Sequence, residues 1–150
     1  MILFDTSVII DARDPDSPWH SWAKEQIADA VGGDGAGVNA VAVSEASVRA
    51  TDPDAVPGFL EGFGMTLLSL PVSAAVPAAK AFSVYLDRLK KEGKKTASKT
   101  PLPDFLIGAH AQAGRLKLVT RDPTRVQTYF PKVDLIVPAG LEDSHGQSSH

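Results

Sequence analysis

Short apolar runs alternate with segments of helical periodicity along almost the whole chain, and this alternation limits the possible folds more than any other feature. Runs that predict strands lie at residues 2–4, 38–40, 65–70, 116–120 and 133–137. One segment that predicts a helix begins after Asp5, and the others lie at residues 19–31, 44–50, 55–63, 73–93, 103–114 and 123–129. Strands that alternate with helices are typical of α/β proteins with parallel strands. We therefore predict an α/β fold, a three-layer sandwich with a mainly parallel central sheet flanked by helices.

The chain has the length of a single domain. Its 150 residues show no internal repeat and no linker, and a chain of this size forms one hydrophobic core. We expect the domain to span residues 1–141, because residues 142–150 are polar and lack periodicity and so predict a mobile tail. The chain contains no cysteine, which excludes disulfides, thiolate metal sites and cysteine nucleophiles.

The beginning of the chain does not resemble a secretion signal. No positively charged region precedes its first apolar run, and Asp5 and Asp11 interrupt that run. No uninterrupted apolar stretch has the length that a bilayer requires. We therefore expect a cytoplasmic protein that does not associate with a membrane.

Four acidic residues stand where predicted strands give way to turns, or inside predicted helices. They are Asp5, Glu45, Asp104 and Asp122. A carboxylate beside apolar segments is costly unless it is paired, hydrogen-bonded or bound to a metal. Asp5 and Asp122 each follow a predicted parallel strand, so both should emerge at the same edge of the sheet. Glu45 and Asp104 lie near predicted helix starts that can point to that edge. Such a cluster of carboxylate oxygens suits magnesium or manganese.

Each of these acids also has an ordinary structural role open to it. Asp5 can cap the helix that follows it, and Asp104 can occupy a first helical turn, where the helix dipole favours an acid. Glu45 can be an exposed helical residue, and Asp122 with Pro123 can form a simple turn. Taken singly, none of the four establishes a site.

The local motifs around the acids resemble a known family. The opening ILFDTSVIID, the middle segment VNAVAVSEASV and the later segment PLPDFLIGAHAQAGRLKLVTRD follow one another in that order. Together they resemble the motifs of PIN-domain ribonucleases, specifically the VapC-type toxins of toxin–antitoxin pairs. The resemblance covers the chain from residue 1 to about residue 138.

This resemblance implies a function and a set of site residues. It implies that Asp5, Glu45, Asp104 and Asp122 bind Mg²⁺ or Mn²⁺ and that the protein cleaves RNA as an endoribonuclease. It further implies an antitoxin protein as partner, and a homodimer.

Three further positions qualify the implied site. Thr120 matches a position that can hydrogen-bond a ligand or a metal-bound water. Thr6 could do the same, although a capping role is an equal alternative. Many relatives carry a second acid two positions after the final Asp, whereas this chain has Thr124 there. The expected acidic set therefore stops at four, and a second metal is left open.

A basic segment at residues 88–99 is a candidate for RNA contact. Its net charge is +5 in a chain whose formal net charge is −3. Lys94, Lys95 and Lys99 are its predicted RNA-binding residues, since phosphate contacts need cations. The alternative is an exposed, solvated helix end.

The aromatic and histidine residues carry less information. Trp19, Trp22 and Phe82 are predicted to be packing residues, although aromatic side chains near the N-terminus also suit an antitoxin groove. The histidines lie apart from the acids and from one another in the sequence, so we assign none of them as a ligand or general base. They are His20, His110, His145 and His150.

Other functions fit the sequence less well. A phosphatase with an aspartyl intermediate would need a second acid two residues after Asp5, where Ser7 stands. A receiver domain would need a pair of adjacent acids after an early strand. Two alternatives stay open within the fold: a housekeeping PIN-like nuclease, and a PIN-like module that binds RNA or protein without catalysis.

Overall fold

The computed structural model describes residues 1–96 and 98–140. The tail predicted for residues 142–150 lies outside these described residues. The five strands are β1 Ile2–Phe4, β2 Ala36–Asn39, β3 Thr66–Leu68, β4 Lys117–Val119 and β5 Leu135–Ile136. The helices are α1 Thr6–Arg13, α2 His20–Val31, α3 Ala40–Arg49, α4 Val56–Gly62, α5 Ala75–Lys91, α6 Pro103–Gly114 and α7 Thr124–Tyr129. Two short 3₁₀ turns, Pro53–Ala55 and Val72–Ala74, precede α4 and α5.

The strands form one sheet in the order β3-β2-β1-β4-β5, and every described pair is parallel. The chain builds the sheet outward from β1 to β3 on one side, and then crosses to the other side of β1 to place β4 and β5. The position between β1 and β4 is therefore a topological switch point, where α/β sheets commonly bind ligands. This sheet with its flanking helices confirms the predicted α/β sandwich.

Helix α3 begins earlier than the sequence pattern predicts. Strand β2 ends at Asn39 and α3 begins at Ala40. The boundaries predicted for a strand at 38–40 and a helix at 44–50 therefore both differ from the observed ones. Asn39 explains the boundary, because its side-chain Oδ1 accepts a hydrogen bond of 3.0 Å from the backbone N–H of Ala42 and so caps the helix. The apolar residues before Ser44 thus belong to the helix. Glu45 consequently lies in the middle of α3, and the prediction that it stands near the helix start was wrong.

The core is packed between the central strands and the helices. Leu3, Phe4 and Leu118 have no exposed surface, as expected for central strands of a parallel sheet. Gly108 lets Phe130 approach α6 closely, since a Cβ atom at this position would lie 2.6 Å from the Phe130 ring. Phe82 is also buried in the core, in agreement with its predicted packing role.

The C-terminal end of α5 is formed as the sequence suggests. Its last turn carries Arg88, Lys90 and Lys91, and positive charges at this end of a helix interact favourably with the helix dipole. Gly93 follows with a φ of 70°, a left-handed conformation that glycine adopts without strain. Within the described residues, no helix combines the length and the apolar character needed to cross a bilayer.

Candidate active site

Asp5 is fixed at the carboxyl end of β1, at the switch point of the sheet. It occupies the N-cap position of α1, and its Oδ1 accepts a hydrogen bond of 2.8 Å from the backbone N–H of Thr6. Its Oδ2 accepts bonds from Ser7 Oγ at 3.1 Å and from Thr120 Oγ1 at 2.7 Å. Its own N–H donates to the Val119 carbonyl at 2.9 Å. Asp5 is therefore both a helix cap and a carboxylate held in one orientation between β1 and β4.

The environment of Asp5 favours the protonated form more than water does. Burial raises the pKa of Asp5 above 3.8, because the ionised carboxylate loses solvation. The hydrogen bonds from Thr120, Ser7 and Thr6 lower this pKa, and the nearby charge of Glu45 raises it, but desolvation is the largest contribution. A cation at this carboxylate would oppose the effect of burial.

Thr120 connects Asp5 with Asp122 after β4. The Thr120 side chain is fully buried. Its Oγ1 donates to Asp5 and accepts a bond of 3.0 Å from the backbone N–H of Asp122. The hydroxyl thus sets the path of the loop that presents Asp122. Its hydroxyl proton is already used within the protein, and its predicted contact with a ligand is not tested by this geometry.

Glu45 reaches the site from the middle of α3. Its Oε1 accepts a hydrogen bond of 2.5 Å from Thr6 Oγ1. Thr6 therefore joins the first turn of α1 to α3, while the capping side chain of α1 belongs to Asp5. This contact holds the Glu45 carboxylate toward the end of β1.

Asp104 approaches from the first turn of α6 and is paired with an arginine. Pro103 is the first residue of this helix, as predicted, and Asp104 follows it. Arg125, on α7, donates from Nη1 to Asp104 Oδ2 at 2.9 Å. The Arg125 guanidinium also lies 4.8 Å from the centre of the Tyr85 ring, which supports it by a cation–π contact.

The four predicted acids line one cleft of about 550 Å³. We call it the acidic cleft and define it by Asp5, Glu45, Asp104 and Asp122. Arg49, Arg121 and Arg125 also lie on its walls. Folding thus brings together carboxylates that lie up to 117 positions apart in the chain. Their catalytic and metal-binding roles stay predictions.

The donor set fits a divalent cation in chemical kind. Carboxylate oxygens are the ligands that Mg²⁺ and Mn²⁺ prefer. In the part of the chain that the structure describes, however, no three acidic or histidine side chains converge closely enough to hold one ion. Binding by three or more of these carboxylates would therefore require side chains to rotate.

An ion pair between a buried carboxylate and an arginine on the wall of the acidic cleft was missed in the sequence. Asp11, only 4% exposed, accepts a hydrogen bond of 2.6 Å from Arg121 Nε and another of 2.9 Å from Ser17 Oγ. The backbone N–H of Arg121 donates to Ser7 Oγ at 3.2 Å. These contacts fix the loop between Thr120 and Asp122. The available signal was Asp11 itself, an acid directly after the apolar run VII.

Arg125 was also missed, because nothing in the sequence pairs it with Asp104. The two residues are 21 positions apart on different helices. The only available signal was a cation three positions after Asp122 on a short predicted helix. Such a spacing is too common to indicate a site.

The basic segment divides in the structure. Lys94 lines a second cleft that adjoins the acidic cleft. Lys95 and Lys99 are exposed and line neither cleft. Their predicted contact with RNA is not tested by this placement.

The described histidines have structural contacts. His110 is buried, and its Nδ1 lies 3.1 Å from Asn39 Nδ2. His20 Nδ1 lies 2.9 Å from the Asp11 carbonyl. Neither histidine lines the acidic cleft. His145 and His150 lie outside the described residues.

The fold is shared with solved VapBC and FitAcB structures. A chain of the VapBC2 complex from Rickettsia felis bound to promoter DNA aligns with a TM-score of 0.62 and 15% identity, over 92% of this chain and 99% of that one. A chain of the DNA-bound VapBC from Salmonella typhimurium aligns with a TM-score of 0.59 and 16% identity, over 91% and 98%. A chain of FitAcB from Neisseria gonorrhoeae aligns with a TM-score of 0.56 and 21% identity, over 91% and 96%. At these identities the likeness establishes the fold alone.

The sequence itself gives the family. No curated protein matches the chain. The family profile described as PIN domain, however, matches residues 2–131, a span that contains all four acids of the acidic cleft. The chain therefore belongs to the PIN-domain family.

Proposed function

We propose that this protein is a magnesium- or manganese-dependent endoribonuclease that acts as the toxin of a toxin–antitoxin pair. One observation carries the proposal: four carboxylates from separate parts of the chain line one cleft at the switch point of a PIN fold. Such a concentration of acids is costly unless cations neutralise it, and hydrolysis of a phosphodiester is a reaction that bound divalent cations assist.

Asp5, Glu45, Asp104 and Asp122 are the residues that would hold the ion. When bound, Mg²⁺ or Mn²⁺ would activate a water for attack on the RNA phosphodiester and stabilise the leaving oxygen. The other residues of the site would maintain its geometry. Thr120 and Ser7 orient Asp5.

Thr6 and Arg125 would have different roles in this proposal. Thr6 orients Glu45 through its hydroxyl. Arg125 neutralises Asp104, so that ion binding and Arg125 compete for the same carboxylate.

The toxin assignment rests on likeness to solved complexes. The structures that share the fold include VapBC and FitAB complexes. By analogy we propose an antitoxin protein as partner, single-stranded or structured RNA as substrate, and a cytoplasmic homodimer. A housekeeping PIN nuclease would share the acidic cleft but would not arrest growth, and a non-catalytic PIN module would bind its partner without cleavage.

Calorimetric titration with Mg²⁺ or Mn²⁺ tests the metal claim. The wild type should bind the ion, and Asp5→Asn should weaken binding about tenfold or more, because one anionic ligand is lost. Asp29→Asn is the matched control, since Asp29 is an exposed acid on α2 that does not line the acidic cleft. Absence of binding, or equal binding by all three proteins, would reject the metal site.

Expression of the chain alone tests the toxin claim. The wild type should slow growth, and Asp104→Ala should relieve the arrest at the same protein level. Coexpression of the candidate antitoxin should also relieve it. Equal arrest by wild type and Asp104→Ala would exclude nuclease action as its cause, and normal growth with wild type would favour a housekeeping nuclease.

A further inference from the structure

A second cleft adjoins the acidic cleft and shares a wall with it. Its volume is about 620 Å³, and it lies between α5 and α7. We call it the tyrosine cleft and define it by Tyr85, Arg88, Lys94 and Tyr129. The shared wall consists of Asp104, Arg121, Asp122 and Arg125. A linear polymer that enters the acidic cleft can therefore continue into the tyrosine cleft without leaving the surface.

The charge changes sign from one cleft to the other. The shared wall carries two acids and two arginines and is neutral. On the far side of the acidic cleft, Asp5 and Glu45 outweigh Arg49. On the far side of the tyrosine cleft, Arg88 and Lys94 outweigh Glu92. An anionic polymer that follows the two clefts would thus meet Arg88 and Lys94 after it has passed the acidic cleft.

The two cations of the tyrosine cleft are available to a ligand. Arg88 and Lys94 both pair with Glu92, at 3.4 and 3.5 Å, and their side chains are 60% and 68% exposed. Exposed ion pairs of this kind contribute little to stability and are screened by salt. A phosphate group can replace Glu92 at either cation without a large penalty.

The tyrosines supply an aromatic surface beside these cations. The Tyr85 and Tyr129 rings lie 5.9 Å apart and nearly perpendicular, at 88°. Each packs against buried Phe105 with ring centres 5.3 Å apart, so the rings have fixed positions. A cationic groove beside rigid aromatic rings is the combination that single-stranded nucleic acids bind, through phosphate contacts and base stacking.

We propose that the tyrosine cleft is a nucleotide-binding subsite for single-stranded RNA next to the cleavage site. In this proposal Arg88 and Lys94 contact backbone phosphates and Tyr129 contacts a base. Tyr85, whose ring is covered by Arg125 at 4.8 Å, packs edge-on against Tyr129 and holds it in place. Arg125, at the boundary between the clefts, lies where the strand passes from one to the other. The inference deepens the proposed ribonuclease function and rests on it for the presence of a cleavage site beside this cleft.

Binding of a short fluorescein-labelled single-stranded oligoribonucleotide, measured by anisotropy in the presence of a chelator, tests this subsite without cleavage. The double variant Arg88→Ala/Lys94→Ala should bind roughly tenfold more weakly than wild type. The slope of log K against log salt should fall in magnitude by about 1.4, because each lost phosphate contact on a single strand accounts for about 0.7.

The matched control is Lys90→Ala/Lys91→Ala. It removes the same charge from the same end of α5, but Lys90 and Lys91 line neither cleft. It should bind RNA like wild type, apart from a small general effect of charge. Equal losses in both double variants would reduce the effect to general charge and would overturn the subsite, as would unchanged binding and slope in Arg88→Ala/Lys94→Ala.

Two further outcomes distinguish an RNA subsite from a protein-binding surface, and the subsite from the nuclease activity. If Arg88→Ala/Lys94→Ala binds RNA normally but loses affinity for a polyglutamate peptide, the cleft is a protein-binding surface and the proposal is wrong. If the wild type cleaves no RNA but the double variant still loses RNA affinity and salt slope, the subsite stands and the nuclease proposal fails. If the wild type cleaves RNA but Arg88→Ala/Lys94→Ala binds RNA like wild type, the nuclease proposal stands and the subsite proposal fails.

Discussion

Arg125 Nη1 donates to Asp104 Oδ2 across 2.9 Å, and this pair places a cation of the protein itself at the acidic cleft. Both side chains are about one third exposed, 36% for Arg125 and 35% for Asp104. If Asp104 is a metal ligand, Arg125 and the metal compete for it. The acidic cleft would then exist in two forms, one neutralised by arginine and one by a divalent cation.

Replacement of Arg125 should therefore tighten metal binding. Arg125→Gln removes the competing charge but keeps a polar side chain over the Tyr85 ring. We expect Mn²⁺ to bind roughly fivefold more tightly, since a partly exposed ion pair is worth up to about 1 kcal/mol. Calorimetric titration of the variant beside wild type measures the change. Unchanged or weaker Mn²⁺ binding would show that Arg125 does not compete with the ion.

The ion pair between Asp11 and Arg121 should be asymmetric in its effect on stability. Arg121→Met leaves the buried carboxylate of Asp11 without its charge partner and should lower the free energy of unfolding by about 3 kcal/mol. Asp11→Asn should lower it less, because the Arg121 side chain is 30% exposed and keeps a second acidic neighbour, Asp122, at 3.7 Å. Urea denaturation measures both.

The control for this comparison is Arg88→Met, which breaks an exposed pair with Glu92. It should change the free energy of unfolding by less than about 0.5 kcal/mol. A larger loss from Asp11→Asn than from Arg121→Met would contradict the asymmetry.

Asp5 should make the metal-free protein less stable as pH rises. Its native pKa is raised above 3.8 by burial, so the folded state binds the proton more tightly than the unfolded state does. Its contribution to stability is therefore fully present below about pH 3.8 and is lost as pH rises through the native pKa. Asp5→Asn, which cannot ionise, should gain stability relative to wild type over that range.

Urea denaturation in the presence of a chelator, at acidic and at neutral pH, measures this difference. Addition of Mg²⁺ should then stabilise wild type more than Asp5→Asn, because ligand binding to the folded state adds to its stability and the variant binds the ion more weakly. A difference between the two proteins that does not depend on pH would contradict the effect of burial on the Asp5 pKa.

Asn39 should be more important for stability than its position in a short strand suggests. Its Oδ1 caps α3, and this orientation leaves its Nδ2 to donate to His110 Nδ1 at 3.1 Å. Asn39→Ala removes the cap and leaves a buried imidazole nitrogen without its partner, so we expect a loss of about 2 to 3 kcal/mol in the free energy of unfolding. Thermal and urea denaturation measure it, and a loss below about 1 kcal/mol would contradict this account.

Local patterns in the sequence were sufficient to predict the sheet and its helices. The apolar run before Asp5 and the run before Thr120 both formed buried parallel strands. Pro103 and Gly93 marked a helix start and a helix end where they were expected. The start of α3 was misplaced because the continuous apolar run before Ser44 fits a buried strand as well as a buried helix, and the cap from Asn39 decided between them.

Contacts between distant residues could not be predicted in the same way. The acids of the cleft could be proposed because each lies in a local motif. The arginines that pair with acidic residues around the cleft have no such motif. The pairs Asp104–Arg125 and Asp11–Arg121 depend on how helices and loops pack in the finished fold. The tyrosine cleft likewise exists only because α5 and α7 are neighbours across α6.

Cleavage of single-stranded RNA by the purified protein, with and without Mg²⁺ or Mn²⁺, tests the central claim most directly. We expect cleavage by wild type with either ion, none in chelator, and a rate at least about a hundredfold lower for Asp104→Asn. The control Asp29→Asn should cleave like wild type. Cleavage that continues in chelator, or a rate for Asp104→Asn equal to that of wild type, would contradict a metal-dependent nuclease site built from these four carboxylates.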